Sequence, residues 1–167
     1  MVADDDNMAW LQFYVDIGTS FFFTSFAGRD ITDHLLQNNS NMYVFEFTYP
    51  SQIDGGYNNV VPDWHPVPHM AEIPYLFYEV NWEKELKAGK INQTDFDLTN
   101  FFGEAWTNFA KFGKPTMDNS WKPTTSSDPK MMEYFEIGAN SGMRTGYRKH
   151  DQITFNQAVQ PDGPNLL

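Results

Sequence analysis

Three side chains able to move protons or hold a metal lie close together in the stretch Trp64-His65-Pro66-Val67-Pro68-His69-Met70-Ala71-Glu72-Ile73-Pro74-Tyr75-Leu76-Phe77. An imidazole exchanges protons near neutral pH, which makes His69, placed in a loop after the aromatic stretch Met42 to Tyr49, a candidate general base. A lone loop histidine more often has no chemical role. The spacing His65-x3-His69-x2-Glu72 also suggests a metal site, in which a helix would carry both imidazoles on one face. Pro66 and Pro68 stand between them, and proline inside that span removes the required helix. Metal binding is therefore the weaker reading, and no metal ligand is assigned. His34, on an expected helix, and His150, in a polar tail, read as incidental.

A second block, Trp106-Thr107-Asn108-Phe109-Ala110-Lys111-Phe112-Gly113-Lys114-Pro115 followed by Trp121-Lys122-Pro123, lies downstream. Together the two blocks resemble the type-B carboxylesterases and cholinesterases. The first matches the family's catalytic-histidine motif, His-Gly-x-Glu-Leu-Pro-Tyr-x-Phe. The second matches its Trp-Thr-Asn-Phe-Ala-Lys-x-Gly-x-Pro run. The resemblance covers about Asp16 to Ile137 and implies an α/β class: the C-terminal part of an α/β-hydrolase fold, mostly helical, with two or three strands of an incomplete central sheet. It implies a single partial domain over 1–167, about the C-terminal third of the family's domain, with a loose tail from about 158. The family motif has glycine where this chain has Met70, and methionine adopts positive backbone dihedrals less cheaply than glycine.

Family membership would imply carboxylic-ester hydrolysis through a serine acyl-enzyme, without metal or organic cofactor. His69 would be the general base, provided the rest of the triad is supplied, and Glu72 a local support of the loop. In this family the triad runs Ser, then Asp or Glu, then His, with the serine in a Gly-x-Ser-x-Gly elbow. No such pentapeptide occurs in the chain. Gly18-Thr19-Ser20 continues into Phe22 where the second glycine belongs, and Gly138-Ala139-Asn140-Ser141-Gly142 has its serine one place late and after the histidine. A His-Gly-Gly-type run for the oxyanion hole is also missing. The expectation is a family segment inactive alone, whose substrate, if the N-terminal part complements it, is a small carboxylic ester. The alternatives are a non-catalytic cholinesterase-like adhesion or binding module, or a degenerate remnant.

The chain has 167 residues, 41% hydrophobic and 20% charged, a balance that suits a globular core but a length too short for a complete type-B esterase. Its 15 Phe, 8 Tyr and 5 Trp need burial or a partner. Since two strands cannot rebuild a large sheet, the isolated chain is expected to be marginal, with a protein partner covering exposed apolar faces. A net charge of -11 argues against nucleic acid and anionic membranes. Without cysteine the chain forms no disulfide. Asp4-Asp5-Asp6 occupies the place where a signal peptide carries positive charge, and no apolar run is long enough to span a bilayer. Asn38-Asn39-Ser40 and Asn92-Gln93-Thr94 are glycosylation sequons, which also arise by chance.

Several elements are legible. Met8 to Ile17 reads as a helix, and Asp30 as the cap of a second one bearing Ile31, Leu35 and Leu36. Tyr43 to Tyr49 alternates as a strand closed by Pro50 and the Asp54-Gly55-Gly56 turn. Glu72 to Tyr78 begins a short helix that tolerates Pro74, and Lys84 to Lys90 reads as a polar connector. The clearest helix is Phe96 to Phe112, with Leu98, Phe101, Phe102, Ala105, Trp106 and Phe109 on one face. Thr94 and Asp97 form its expected capping box, and Gly113 its C-cap. Met132 to Ile137 reads as a last strand.

Overall fold

The computed structural model describes residues 6–51, 53, 61–62, 64–78 and 81–159, the side chains at 156 and 159 excepted. The Asp54-Gly55-Gly56 turn and the tail beyond 159 lie outside the described residues. The chain forms two compact units, one of Met1–Met42, Thr124–Glu133 and Thr145–Leu167, the other of Tyr43–Pro123 and Tyr134–Arg144.

In the first unit, helix α1 (Asn7–Thr19), a π-helical turn (Ser20–Thr24) and helix α2 (Ser25–Leu36) follow one another without a break. Asp6 caps α1 by accepting a hydrogen bond from the Ala9 amide at 3.0 Å. Asp30 starts no helix; it lies exposed inside α2. No proline interrupts the stretch, and its glycines stay helical, so nothing stops propagation. Helix α6 (Lys149–Val159) takes up His150, which had read as part of a polar tail. The α6 carboxylate of Asp151 explains the difference, because it accepts from the Thr24 hydroxyl at 2.6 Å and from Arg148 Nε at 2.6 Å. The Ser25 hydroxyl donates to the Asp151 carbonyl at 3.0 Å. Gly28 lets α6 come close: a Cβ there would lie 2.4 Å from the Gln152 side chain. Trp10, Phe13, Tyr14, Phe21, Phe22 and Phe26 remain exposed on this unit.

Burial would push the Glu133 carboxyl up, but three donors outweigh it and hold the group below its usual range. These are the Thr125 amide at 2.9 Å, the Thr125 hydroxyl at 2.8 Å and the Ser126 amide at 3.1 Å.

The second unit is built on β1 (Phe45–Phe47), β2 (Glu133–Ile137) and β3 (Gly142–Thr145), in the order β1-β2-β3. The strand expected over Tyr43 to Tyr49 shortens to β1, and β3 was not foreseen. β1 and β2 run parallel with Phe45 opposite Phe135 and Phe47 opposite Ile137. A parallel pair needs a long crossover, and here it contains α3 (Ile73–Phe77), α4 (Trp82–Lys87) and α5 (Gln93–Phe112). The expected connector at Lys84 is thus partly helical: Asn81 accepts from the Lys84 amide at 2.9 Å, and Trp82 stacks on Tyr75 with centroids 6.0 Å apart.

Helix α5 starts earlier than Phe96. Its capping box is Asn92 with Asp95, not Thr94 with Asp97: the Asn92 side chain accepts from the Asp95 amide at 2.9 Å, and Asp95 Oδ2 accepts from the Asn92 amide at 3.2 Å. Asparagine is a strong N-cap residue, and this frame adds the preceding turn to the helix. Gly113 closes the other end in the left-handed region at φ 71°, as its sequence position requires. The apolar face of α5 packs Leu98, Phe102 and Ala105 into a core with Tyr49, Tyr75, Trp121, Phe135 and Ile137. The Trp121 indole N–H is buried without an acceptor among the described residues.

With about half the residues helical and a small three-stranded mixed sheet, the architecture is that of a partial α/β fold.

Candidate active site

His69 is exposed, in the turn that leads from the extended Trp64–Pro68 stretch into α3. Backbone hydrogen bonds shape this turn: the Ala71 amide to the Pro68 carbonyl at 3.1 Å, Ile73 to Met70 at 3.1 Å and Tyr75 to Glu72 at 3.1 Å. Prolines at 66 and 68 pre-set the approach, and Pro74 sits at the first turn of α3, where its missing N–H is no loss. Glu72 occupies the N-cap position of α3, half-buried, but its side chain makes no capping hydrogen bond. His65 is exposed as well, in the extended stretch and not on a helix. Among the described residues no group of three or more His, Asp or Glu is placed to hold a metal ion.

Met70 stands at φ 72°, in the left-handed region that glycine enters freely and methionine does not. It is 56% exposed, so no burial gain offsets the backbone strain. Met70→Gly should stabilise the chain by about 0.5–1 kcal/mol, the relief of strain exceeding the added unfolded-state entropy. An urea midpoint lower than that of the parent chain would refute this.

A polar cluster lies inside the aromatic core. Asp95 is fully buried, and its Oδ1 accepts from the Tyr75 hydroxyl at 2.7 Å and the Ser51 hydroxyl at 3.1 Å. Burial first, and then the Asp95 carboxylate, hold the Tyr75 phenol far above its ordinary range, so it stays a donor. Asn92 donates its side-chain N–H to the Tyr49 hydroxyl at 2.7 Å. The rings complete the packing: Tyr75 lies 5.4 Å from Phe47 and 5.6 Å from Phe102 between centroids. Sequence reasoning missed Asp95, Ser51 and Tyr75 as a group. The Asn92-x-x-Asp95 spacing carried a capping signal, but nothing local pointed to Ser51 or Tyr75.

The two serines in near-elbow sequences hold other posts. Ser20 begins the π-helical turn. Ser141 closes the β2–β3 turn, its hydroxyl donating to the Gly138 carbonyl at 2.9 Å and accepting from the Gly138 amide at 3.0 Å. Of the two sequon asparagines, Asn92 is committed to the α5 cap, while Asn38 is exposed at the end of α2 with φ 59°. Toward the C-terminal end of α5 an open aromatic groove of ≈ 180 Å³ is lined by Tyr43, Phe45, Trp106, Phe109 and Trp121.

The site thus consists of an exposed histidine between β1 and the proline-started α3 of a partial α/β fold. The family model described as the carboxylesterase family matches residues 1–155, beyond both ends of the resemblance read from the two motif blocks. The chain belongs to the carboxylesterase family. Comparison with curated proteins gives no match.

Proposed function

We propose that His69 is the general base of a serine carboxylic-ester hydrolase site whose nucleophile, acidic partner and oxyanion-hole amides come from polypeptide outside these 167 residues. The observation that carries this reading is the placement of His69: exposed at a turn after a strand, with α3 behind it anchored in the core by Tyr75. In the completed site its imidazole takes the serine proton as the oxygen attacks the acyl carbon, then gives that proton to the departing alcohol. In the second half it takes a proton from water as the water oxygen attacks the acyl carbon; the bond to the serine oxygen then breaks, that oxygen takes the proton back from the imidazole, and the carboxylic acid leaves. Glu72 supports the turn through its backbone carbonyl, which accepts from the Tyr75 amide at 3.1 Å, and takes no proton. The substrate is a small carboxylic ester.

The 167-residue chain alone should hydrolyse a short-chain aryl ester no faster than buffer, with or without His69→Ala. Turnover abolished by His69→Ala would mean that a nucleophile lies within the chain after all. The role of His69 itself is tested by exchanging residues 64–78 into an intact carboxylesterase. Activity should survive the exchange and then fall by about a thousandfold or more on His69→Ala. Unchanged turnover in that variant removes His69 from the mechanism.

A second reading, a non-catalytic binding module of the cholinesterase-like adhesion type, is favoured by the exposed aromatic face of the first unit, Trp10, Phe13, Tyr14 and Phe22. A protein surface covering that face would account for its aromatic side chains under either reading.

A further inference from the structure

We propose that Asp95 is a positioning residue for His69: its buried carboxylate ties both flanks of the histidine-bearing segment, Ser51 before it and Tyr75 after it, to the rigid α5. The inference rests on the reading of His69 as general base.

The capping box of α5 needs one carboxylate oxygen, and Oδ2 supplies it to the Asn92 amide. A capping aspartate works equally well at the surface, where the carboxylate keeps its hydration. Asp95 instead has no exposed surface, and its second oxygen gathers two hydroxyls from outside the helix. Burying a carboxylate is unfavourable unless its lone pairs find donors. Those donors come from separate stretches of chain, one on each side of His69. Ser51 is buried, and its oxygen also accepts from the Ile53 amide at 2.9 Å, which fixes the chain as it leaves the strand region. Tyr75 is 4% exposed and belongs to α3, which begins where the His69 turn ends. The anchor itself does not move easily, since α5 buries Leu98, Phe102 and Ala105 in the core. A catalytic base displaced by about 1 Å loses on the order of a hundredfold in rate. A two-sided tie on a buried helix is a physical means of preventing that displacement.

The test uses the full 167-residue chain and mild variants, because Asp95→Ala destabilises the whole chain. Tyr75→Phe and Ser51→Ala each remove one hydroxyl, with its bond to Asp95 and the bond between the two hydroxyls, and keep the packing; Leu98→Ala weakens the same helix without touching the carboxylate. Amide hydrogen exchange is compared between residues 69–75 and residues 103–112, with the His69 ring signals followed by NMR. Tyr75→Phe should speed exchange over 69–75 by about tenfold or more, shift the His69 ring signals, and leave 103–112 unchanged. Ser51→Ala should act in the same direction, whereas Leu98→Ala should speed both regions together. Wild-type exchange and ring signals in both tie variants would overturn the proposal. So would equal acceleration everywhere, which would make Asp95 a general stabiliser. None of these readouts depends on ester turnover, so a failed His69→Ala test in the exchanged esterase would remove the catalytic reading and leave the tie to be judged separately.

Discussion

Phe102→Ala is expected to lower the unfolding free energy by about 3–5 kcal/mol, the loss typical of deleting a fully buried ring. Phe102 has no exposed surface and sits at the crossing of the two parts of the second unit, α5 and the sheet. Its centroid lies 5.6 Å from Phe47 on β1, 5.6 Å from Tyr75 on α3 and 5.2 Å from Trp106 one turn along α5. These three rings and the neighbouring Phe101 would therefore lose a partner at once, and the cavity would be walled by rigid aromatics that collapse poorly. Stabilities of ordinary domains are about 5–15 kcal/mol, so the variant should retain little folded chain at moderate urea. Phe109, on the same helix but 47% exposed, provides the comparison. Its loss to alanine should cost about 1 kcal/mol. Equal urea midpoints for the two variants would mean that the Phe102 pocket is not the centre of the core.

The second large effect concerns charge instead of volume. Asp95→Ala should destabilise the chain by about 2–4 kcal/mol. Two opposing terms decide the number. Removing the carboxylate spares its desolvation, which is favourable. Against that, the Tyr75 hydroxyl inside the core and the Asn92 amide lose their acceptor, while the Ser51 hydroxyl keeps its hydrogen bond with Tyr75. Each stranded donor costs about 1–3 kcal/mol, so the loss wins. A double-mutant cycle with Tyr75→Phe isolates the pair, and a coupling of about 1–2 kcal/mol is expected at a 2.7 Å charge-assisted bond. Strictly additive losses in urea titrations would show that the two groups do not act on each other.

These two residues illustrate different degrees of legibility. Phe102 was marked as core by the helical spacing of Leu98, Phe101, Phe102, Ala105, Trp106 and Phe109, a pattern that survives in the structure because one face of α5 meets the sheet. Asp95 carried only a local signal. Its hydroxyl partners lie 44 and 20 residues away, and no periodicity or cap rule spans such separations. The same limit explains the displaced elements. Asp30 has the chemistry of a cap, yet the π-helical turn carries the helix past it, with Thr24 and Ser25 bonded to Asp151 more than a hundred residues later. Trp82 turns an apparent connector into α4 by stacking on Tyr75.

What the sequence by itself determined is the set of features whose causes are local: the two motif blocks that placed the chain near the carboxylesterases, the long amphipathic α5 with Gly113 at its left-handed end, the short aromatic strand, and the proline-bounded turn that presents His69. Cap, turn and periodicity act over a few residues and can be read there. The tertiary structure alone decided that Met70 takes a left-handed backbone conformation that glycine enters more freely, that α6 docks on the π-helical turn, and that a buried carboxylate joins Ser51 and Tyr75 on either side of His69. Each of these depends on groups brought together by burial, where an unpaired polar atom is costly and the fold must supply its partner from wherever in the chain one is found.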